Sequence, residues 1–207
     1  MNIHFESEEK KINKKLVIEI LLFIVQIILV IFLAYLIINY GIERTTVYEE
    51  SMSPTLVDDD EILIDKFTYR FSDPKRFDVI VFLKRDKEHS YYNIKRIIGL
   101  PGETVQIKDS EIYIDDEKLE EKIDVEEMEN YGLASEPILL EENEYFVLGD
   151  NRNSSEDSRF ANVGNILEDD ILGKAWIRIN DFNFISKLNI EVEEKETIEE
   201  QETIEAN

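Results

Sequence analysis

The sequence contains no cysteine among its 207 residues. This absence excludes disulfide bonds, thiol nucleophiles and thiolate metal sites, because each of them needs a cysteine sulfur. Histidine, the most common catalytic base, is nearly absent as well, and the two in the chain are His4 and His89. We therefore expect neither a metal nor another cofactor, and few histidine-based active sites are open to this chain.

An excess of positive charge is also lacking, since 23 Lys and Arg residues face 47 Asp and Glu residues and the formal charge is -24. Binding to nucleic acid needs a basic face that neutralises phosphates. We therefore expect no nucleic-acid partner.

The length of the chain allows one membrane anchor and one domain of modest size, because domains usually contain roughly 100–200 residues.

One long apolar run stands out, from Leu16 to Tyr40, and its core contains Gln26 as the single strongly polar residue. Crossing the hydrocarbon layer takes about 20 residues. The run is apolar on all sides, whereas a soluble surface helix would show a polar face. A cleaved secretory signal is the alternative, but its apolar region has only about 7–15 residues and ends in small ones. The run therefore predicts a transmembrane helix.

Charges around this run predict its orientation. Four lysines precede it and Arg44 alone lies close behind it; the lysines are Lys10, Lys11, Lys14 and Lys15. The side richer in Lys and Arg stays in the cytoplasm. We therefore expect a single-pass protein of the cell membrane with a cytoplasmic N-terminus (1–15), a transmembrane helix (16–40) and an extracytoplasmic domain (41–188).

The last segment, residues 189–207, has eight Glu against Lys195 and no aromatic residue. Such a composition buries too little surface to offset the entropy of ordering, so we expect a disordered acidic tail.

After the apolar run, the pattern changes to short segments that alternate apolar and polar residues. Seven of them read as strands of about 4–8 residues: 61–67, 77–83, 91–100, 103–109, 111–116, 144–150 and 174–179. Turn signals lie between them, for example Pro101-Gly102. A short helix within 119–131 remains an alternative for that acidic stretch, which otherwise reads as a solvated face. The expected fold is mainly β, with an antiparallel, curled sheet or open barrel.

Two serines, Ser51 and Ser53, follow the anchor closely and could be nucleophiles. A serine hydroxyl needs a base to take its proton. His4 lies before the anchor, on the opposite side of the membrane. His89 lies in a densely charged stretch that reads as an exposed loop, so a Ser-His-Asp triad built on it has little support, although it stays open.

Lysine is the other base that the sequence offers. In the strand 91–98, alternation places Lys95 and Arg96 on opposite faces. Lysine can lose its proton when burial disfavours the charged form, whereas arginine stays charged. Lys95 is thus a candidate base, and the alternative is that both cations are ordinary salt-bridge partners.

A third polar stretch, 149–159, reads GDNRNSSEDSR. Its short side chains bond readily to nearby backbone, which indicates a turn-rich loop. It is either a plain surface loop or a polar network that holds a catalytic amine through Ser155 and Asp157.

Together, these stretches resemble the type I signal peptidases, the membrane-bound serine peptidases that remove signal peptides from exported proteins. SMSPTL resembles the family's Ser-Met-x-Pro-Thr-Leu box, FDVIVF its Asp-Val-Val-Val-Phe strand, IKRIIGLPGE its Lys-Arg box and GDNRNSSEDSR its last box. Four boxes occur in the family's order, over roughly residues 20–180.

The resemblance implies a role for each matching residue. Ser51, which precedes the methionine, would be the nucleophile, and Lys95 the general base. Alternation alone could not choose between Ser51 and Ser53. The backbone N–H of Ser51 would contribute to the oxyanion hole. The last box would contribute a serine that hydrogen-bonds the lysine amine, a structural ion pair and the glycine that opens the loop; these are Ser155, Asp157 with Arg159, and Gly149.

The resemblance also implies an acyl-enzyme mechanism and a substrate. The substrate would be a preprotein with small residues one and three positions before the cut, bound as an added strand. Membrane lipid and the protein-export machinery are further expected partners. Two alternatives stay open: a Ser-Lys peptidase with a narrow set of substrates, and an inactive, membrane-tethered module of the same fold that binds peptides.

Two positions depart from the family's pattern. Glu49 stands where the family usually has Gly, Ser or Thr, and a carboxylate there would oppose an oxyanion. We therefore expect the Glu49 side chain to turn outward, leaving the oxyanion to main-chain donors. Phe77 stands where the family often has Gly.

Overall fold

The computed structural model describes residues 14–83, 92–121 and 123–187. The chain divides into two units, residues 1–40 and 41–207. In the first unit one helix, α1 (Lys14–Gly41), carries the apolar run. It contains a stretch, Lys14–Ile37, that is long and apolar enough to cross a membrane. The positions of His89 and of the acidic tail lie outside the described residues.

The second unit is built mainly from strands. In chain order they are β1 (Ile42–Thr46), β2 (Glu61–Asp65), β3 (Val79–Leu83), β4 (Tyr92–Gly99), β5 (Thr104–Lys108), β6 (Glu111–Ile114), β7 (Glu117–Lys118), β8 (Ile138–Leu139), β9 (Glu144–Leu148), β10 (Ile166–Leu167), β11 (Ile171–Arg178) and β12 (Asn183–Phe184). The seven strands that the alternation predicts correspond to β2, β3, β4, β5, β6, β9 and β11.

The larger sheet has the order β1-β2-β11-β3-β4-β9-β10, with β12 paired to β11. Every pairing in it is antiparallel. The register shifts at three places, two of them along β11 and one between Ile97 and Gly99 of β4. Such irregularities bend and twist a sheet. The prediction of a mainly β fold with a curled, antiparallel sheet is confirmed.

The smaller sheet has the order β7-β6-β5-β8. The buried side chains of β5 and β6 pack against Phe146 and Leu148 of β9. The other two buried residues of β9, Tyr145 and Val147, point to the opposite face and belong to a separate core cluster. This is the period-2 burial expected of a strand covered on both faces. The short helix considered for 119–131 is absent from the described part of that range, which has no regular structure after β7.

Among the described residues there are five short 3-10 helices, and one of them, Glu50–Met52, matters for the site. It follows β1 after three residues, and Met52 and Leu56 anchor the turn because they are buried in the core between β2, β3 and β4. The sheet thus brings the turn after β1, the middle of β4 and the loop after β9 to one place.

Candidate active site

Ser51 lies in the middle of the 3-10 helix Glu50–Met52 and is buried. The apolar side chain next to it, Met52, is fixed in the core, and the Leu56 N–H donates to the Met52 carbonyl at 2.9 Å. The Ser53–Pro54 peptide bond is cis. Two hydrophobic anchors therefore hold the serine in one position on the surface of the sheet.

Lys95 is the side chain that meets this serine. Its Nζ donates to Ser51 Oγ over 2.7 Å. Lys95 sits in β4 opposite Ile80 of β3, and only 1% of its side chain is exposed. The serine and the lysine, 44 positions apart in the chain, thus form a buried hydrogen-bonded pair.

Burial lowers the pKa of the Lys95 amine, because a low-dielectric surrounding disfavours its charged form. The carboxylates of Glu49, Asp157 and Glu156 act in the opposite direction on this pKa, but desolvation is the largest cause. A lowered pKa gives the amine a larger neutral fraction near neutral pH than an exposed lysine has. Only the neutral amine can accept a proton.

Glu49 does not turn outward, so that expectation is wrong. Its Oε2 accepts hydrogen bonds from Ser51 Oγ at 3.3 Å and from Lys95 Nζ at 3.4 Å. Two polarised hydrogens converge on the carboxylate, and 54% of its side chain stays exposed, so the attraction involves little desolvation. The sequence does not reveal this direction, because Glu49 precedes the serine in extended backbone whose side chain could point either way.

Gly149 and Ser155 lie beside the pair. A Cβ on Gly149 would come within 2.2 Å of Ser155 Oγ and 2.4 Å of the Ser51 carbonyl oxygen, so only glycine fits there. Ser155 Oγ is buried, and within the described residues it has no hydrogen-bond partner. The hydrogen bond from this serine to the lysine amine, which the resemblance implies, is therefore not formed in this structure.

Asp157 and Arg159 form a bidentate ion pair, with both N–O distances at 2.8 Å and both side chains almost fully buried. Asp157 Oδ2 also accepts the Gly149 N–H at 3.1 Å. Arg159 donates further to the carbonyl oxygens of Arg152 and Asn130. The pair thus ties the loop after β9 to the glycine that lies against Ser51.

Arg96, next to Lys95 in β4, has a partner that the sequence reasoning did not identify. Its guanidinium binds the buried Asp150 through two hydrogen bonds of 2.8 and 2.6 Å, and Asp150 also accepts from the Thr55 hydroxyl at 2.5 Å. A signal for this pairing existed, because a buried arginine needs a carboxylate. The carboxylate links β4, the serine turn and the loop after β9.

A second missed contact joins the acidic stretch to the same loop. Arg152, with 1% of its side chain exposed, binds Glu121 through bonds of 2.8 and 2.5 Å. Its Nε donates to the Gly149 carbonyl at 3.1 Å. Glu121 therefore holds the glycine's loop from outside, whereas the sequence predicted a solvated face here.

Phe77 adopts φ 68°, in the left-handed region that favours glycine. Glycine, which the resemblance leads us to expect here, would adopt this backbone conformation without strain. Phe77 packs against the core of the smaller sheet, and its carbonyl accepts from Arg96 at 2.9 Å.

No group of three or more His, Asp or Glu side chains suited to a metal ion occurs within the described ranges. The site instead consists of a buried hydroxyl, a buried amine and carboxylates that hold the surrounding loops. A serine hydroxyl held against a buried amine is an arrangement in which a serine peptidase could activate its nucleophile.

Comparisons with known proteins support this class and identify the family. Residues 18–180 match the family described as "Signal peptidase, peptidase S26". A signal peptidase I of Bacillus amyloliquefaciens is 35% identical over 189 residues, covering 88% of this chain and 98% of that protein. The chain belongs to the signal peptidase family, and it is a serine peptidase.

Two further matches differ in how much of the related protein this chain covers. A probable signal peptidase I-2 of Synechocystis is 37% identical over 142 residues, covering 66% of this chain and 62% of that protein. A crystal structure of a signal peptidase I from Enterococcus faecalis is 35% identical and matches with a TM-score of 0.39, covering 50% of this chain and 97% of that one.

Proposed function

We propose that this chain is a membrane-tethered endopeptidase that removes signal peptides from exported preproteins through a Ser51–Lys95 dyad. The observation that carries the proposal is the 2.7 Å contact between Ser51 Oγ and a lysine amine with 1% of its side chain exposed. A buried lysine without a bidentate carboxylate is costly to charge, and this is the condition for an amine that acts as a base.

In the first step, neutral Lys95 takes the proton of Ser51 while Oγ attacks the carbonyl carbon at the cleavage site. Collapse of the tetrahedral intermediate breaks the C–N bond, and the Lys95 ammonium returns the proton to the leaving amine. The products are an acyl-enzyme ester on Ser51, a free mature N-terminus and a neutral lysine.

In the second step, neutral Lys95 takes a proton from water, whose oxygen attacks the ester carbonyl. The ammonium then protonates Ser51 Oγ as it leaves. The Ser51 N–H would stabilise the oxyanion in both steps. It lies in the first turn of a helix, where N–H groups lack partners within the helix.

The remaining residues of the last box act as positioning residues in this proposal. Gly149 allows Ser155 and the Ser51 carbonyl to approach one another. Asp157 and Arg159 fix the loop by their ion pair. Ser155 Oγ would accept an N–H of the Lys95 amine during the reaction, which would satisfy its buried hydroxyl.

The proposed substrate binds as an added strand beside the serine turn. β1 is the terminal strand of the larger sheet and leads directly into that turn. A small depression there is lined by Val47, Met52, Tyr92 and Ile94 together with Glu49 and Ser51, and its volume is small. This agrees with small residues one and three positions before the cut, as the resemblance implies.

We further propose that residues 16–40 span the membrane, with residues 1–15 in the cytoplasm, 41–188 outside and 189–207 as a tail beyond the domain. Support comes from the apolar helix and the lysines before it.

Since the chain has no cysteine, single cysteines introduced at Ser7 and Ser72 can be probed in intact cells with an impermeant maleimide. The topology predicts labelling at Ser72 alone, and labelling at Ser7 alone would reverse it.

The test of the function uses the full chain in detergent micelles with a preprotein whose signal peptide ends in Ala-x-Ala. Wild type should release the mature protein. Ser51→Ala and Lys95→Met should each lower kcat/KM by roughly a thousandfold or more, because acid–base and nucleophilic groups act as a unit. Ser53→Ala is the matched control and should cleave like wild type.

Cleavage that persists in Ser51→Ala or Lys95→Met would remove the dyad from the mechanism. Absence of cleavage by the wild type for several unrelated preproteins would favour the inactive binding module. Cleavage of just one of them would favour the narrow-substrate peptidase.

A further inference from the structure

The carboxylate of Glu49 reaches both members of the proposed dyad. It accepts from Ser51 Oγ and Lys95 Nζ at 3.3 and 3.4 Å. Within the described part of the chain, no other carboxylate hydrogen-bonds either atom. Glu49 is the residue before the 3-10 helix, so its backbone is held by the same turn that holds the serine.

The proton of the Ser51 hydroxyl can go to one acceptor at a time. In the observed arrangement the Lys95 amine donates to Ser51 Oγ, and Ser51 donates to Glu49. Acylation needs the reverse direction, with the Ser51 proton pointing at a neutral amine. The hydrogen bond to Glu49 therefore competes with the reactive arrangement.

Other charges face the amine as well. Asp157 and Glu156 favour its charged form, as Glu49 does, while burial opposes it. Asp157 is already neutralised by Arg159, and Glu156 is exposed and bonds Asn162. Of these three carboxylates, Glu49 is thus the one that contacts the Lys95 amine directly, and among the described residues it has no arginine partner.

The position of Glu49 conflicts with substrate binding. A carbonyl carbon must approach Ser51 Oγ to about 3–3.5 Å, and the oxyanion that develops there is repelled by a carboxylate. With 54% of its side chain exposed, Glu49 can swing into water at little cost.

We propose that Glu49 caps the Ser51–Lys95 pair of the free enzyme in a protonated, unreactive arrangement, and that the arriving substrate displaces this cap. The inference rests on the proposed function, since it takes Lys95 as the base. The cap should act on the free enzyme and be lost in the substrate complex.

Two pH profiles separate these states, because kcat/KM reports ionisations of the free enzyme and kcat those of the complex. The experiment uses the full chain in micelles and a quenched peptide with Ala one and three positions before the cut. Glu49→Gln should move the acid limb of kcat/KM to lower pH, raising kcat/KM on that limb roughly three- to tenfold. The acid limb of kcat should stay in place.

Glu50→Gln is the matched control, since Glu50 is exposed and its carboxylate does not contact the pair. The proposal is overturned by an unchanged kcat/KM limb in Glu49→Gln, by an equal shift in Glu50→Gln, or by a kcat limb that moves as far as that of kcat/KM. Cleavage by Lys95→Met in the same assay would instead overturn the proposed function.

Discussion

Lys95 and Arg96 are adjacent cations in β4, and both are almost fully buried, yet their surroundings differ. Arg96 has a buried carboxylate, Asp150, at 2.6 and 2.8 Å and a backbone carbonyl at 2.9 Å. Lys95 has a hydroxyl at 2.7 Å and a half-exposed carboxylate at 3.4 Å. One cation is matched by charge and geometry, while the other is mainly desolvated.

In the proposed mechanism this difference separates a structural cation, Arg96, from a reactive one, Lys95. A guanidinium stays charged, so burying it requires a fixed anion. Asp150 is that anion, and its contacts with Arg96 and Thr55 join β4, the serine turn and the loop after β9. An amine can instead lose its proton, and burial lowers the pKa of Lys95. Adjacent positions of one strand would therefore hold a structural ion pair and the proposed base.

Removing the anion that pairs with Arg96 should have the largest effect on the free energy of unfolding. Asp150→Ala leaves a buried guanidinium without its anion, which should lower the free energy of unfolding by about 3–5 kcal/mol. Lys95→Met is the matched control and should change it by less than about 1 kcal/mol, because an apolar side chain replaces a poorly solvated amine. Urea unfolding followed by fluorescence of the single Trp176 measures both.

An Asp150→Ala variant as stable as wild type would contradict the structural role of the Arg96 pair. A double variant, Asp150→Ala with Arg96→Met, should recover part of the loss, since no charge is then left unpaired.

The comparison is sharpened by Arg152, a second buried arginine whose anion comes from the acidic stretch. Glu121→Gln keeps an acceptor oxygen but removes the charge that faces Arg152, so we expect a loss of about 1–3 kcal/mol in the free energy of unfolding. The adjacent Glu120 is exposed, and Glu120→Gln should cost less than about 0.5 kcal/mol. Equal effects of the two changes in urea unfolding would show that the ion pair with Glu121 is not structural.

The smallest effect concerns the pH dependence of stability on the Lys95 side. The folded-state pKa of Lys95 is lowered, so between that value and the ordinary value of about 10.4 the unfolded chain binds more protons. Stability must then rise with pH in this window. The free energy of unfolding of the wild type should therefore rise relative to that of Lys95→Met as the pH increases toward ~10. Thermal unfolding of both proteins at several pH values measures this, and a difference that does not change with pH would contradict a lowered pKa.

The sequence predicted much of this fold because alternation and turn residues are local signals. Seven strands and the placement of Lys95 and Arg96 on opposite faces of one strand follow from period-2 geometry. Strands of two residues, such as β7 and β8, carry too few positions for any periodicity. β1 was missed for a different reason, since Ile42 is its single apolar residue and no alternation marks the strand.

The site was predictable only as far as the motif boxes extend. The resemblance names Ser51 and Lys95, but not Asp150 as the anion of Arg96 or Glu121 as the anion of Arg152. Those partners are 54 and 31 positions away, and only the path of the folded chain joins them. The direction of Glu49 was predicted wrongly because it followed from repulsion by an oxyanion, whereas in the free site the carboxylate accepts from the Ser51 hydroxyl and the Lys95 amine.

The central claim is that Lys95, whose pKa is lowered by burial, is the base for Ser51. Its most direct test compares the pKa of the Lys95 amine, measured by NMR on 13C-lysine-labelled protein and assigned by the signal missing in Lys95→Met, with the acid limb of kcat/KM. The account predicts that the amine titrates below its ordinary value of about 10.4, at the same pH as the limb, with activity rising as the proton leaves. An amine that titrates at or above that value, or a limb at a different pH, would contradict it.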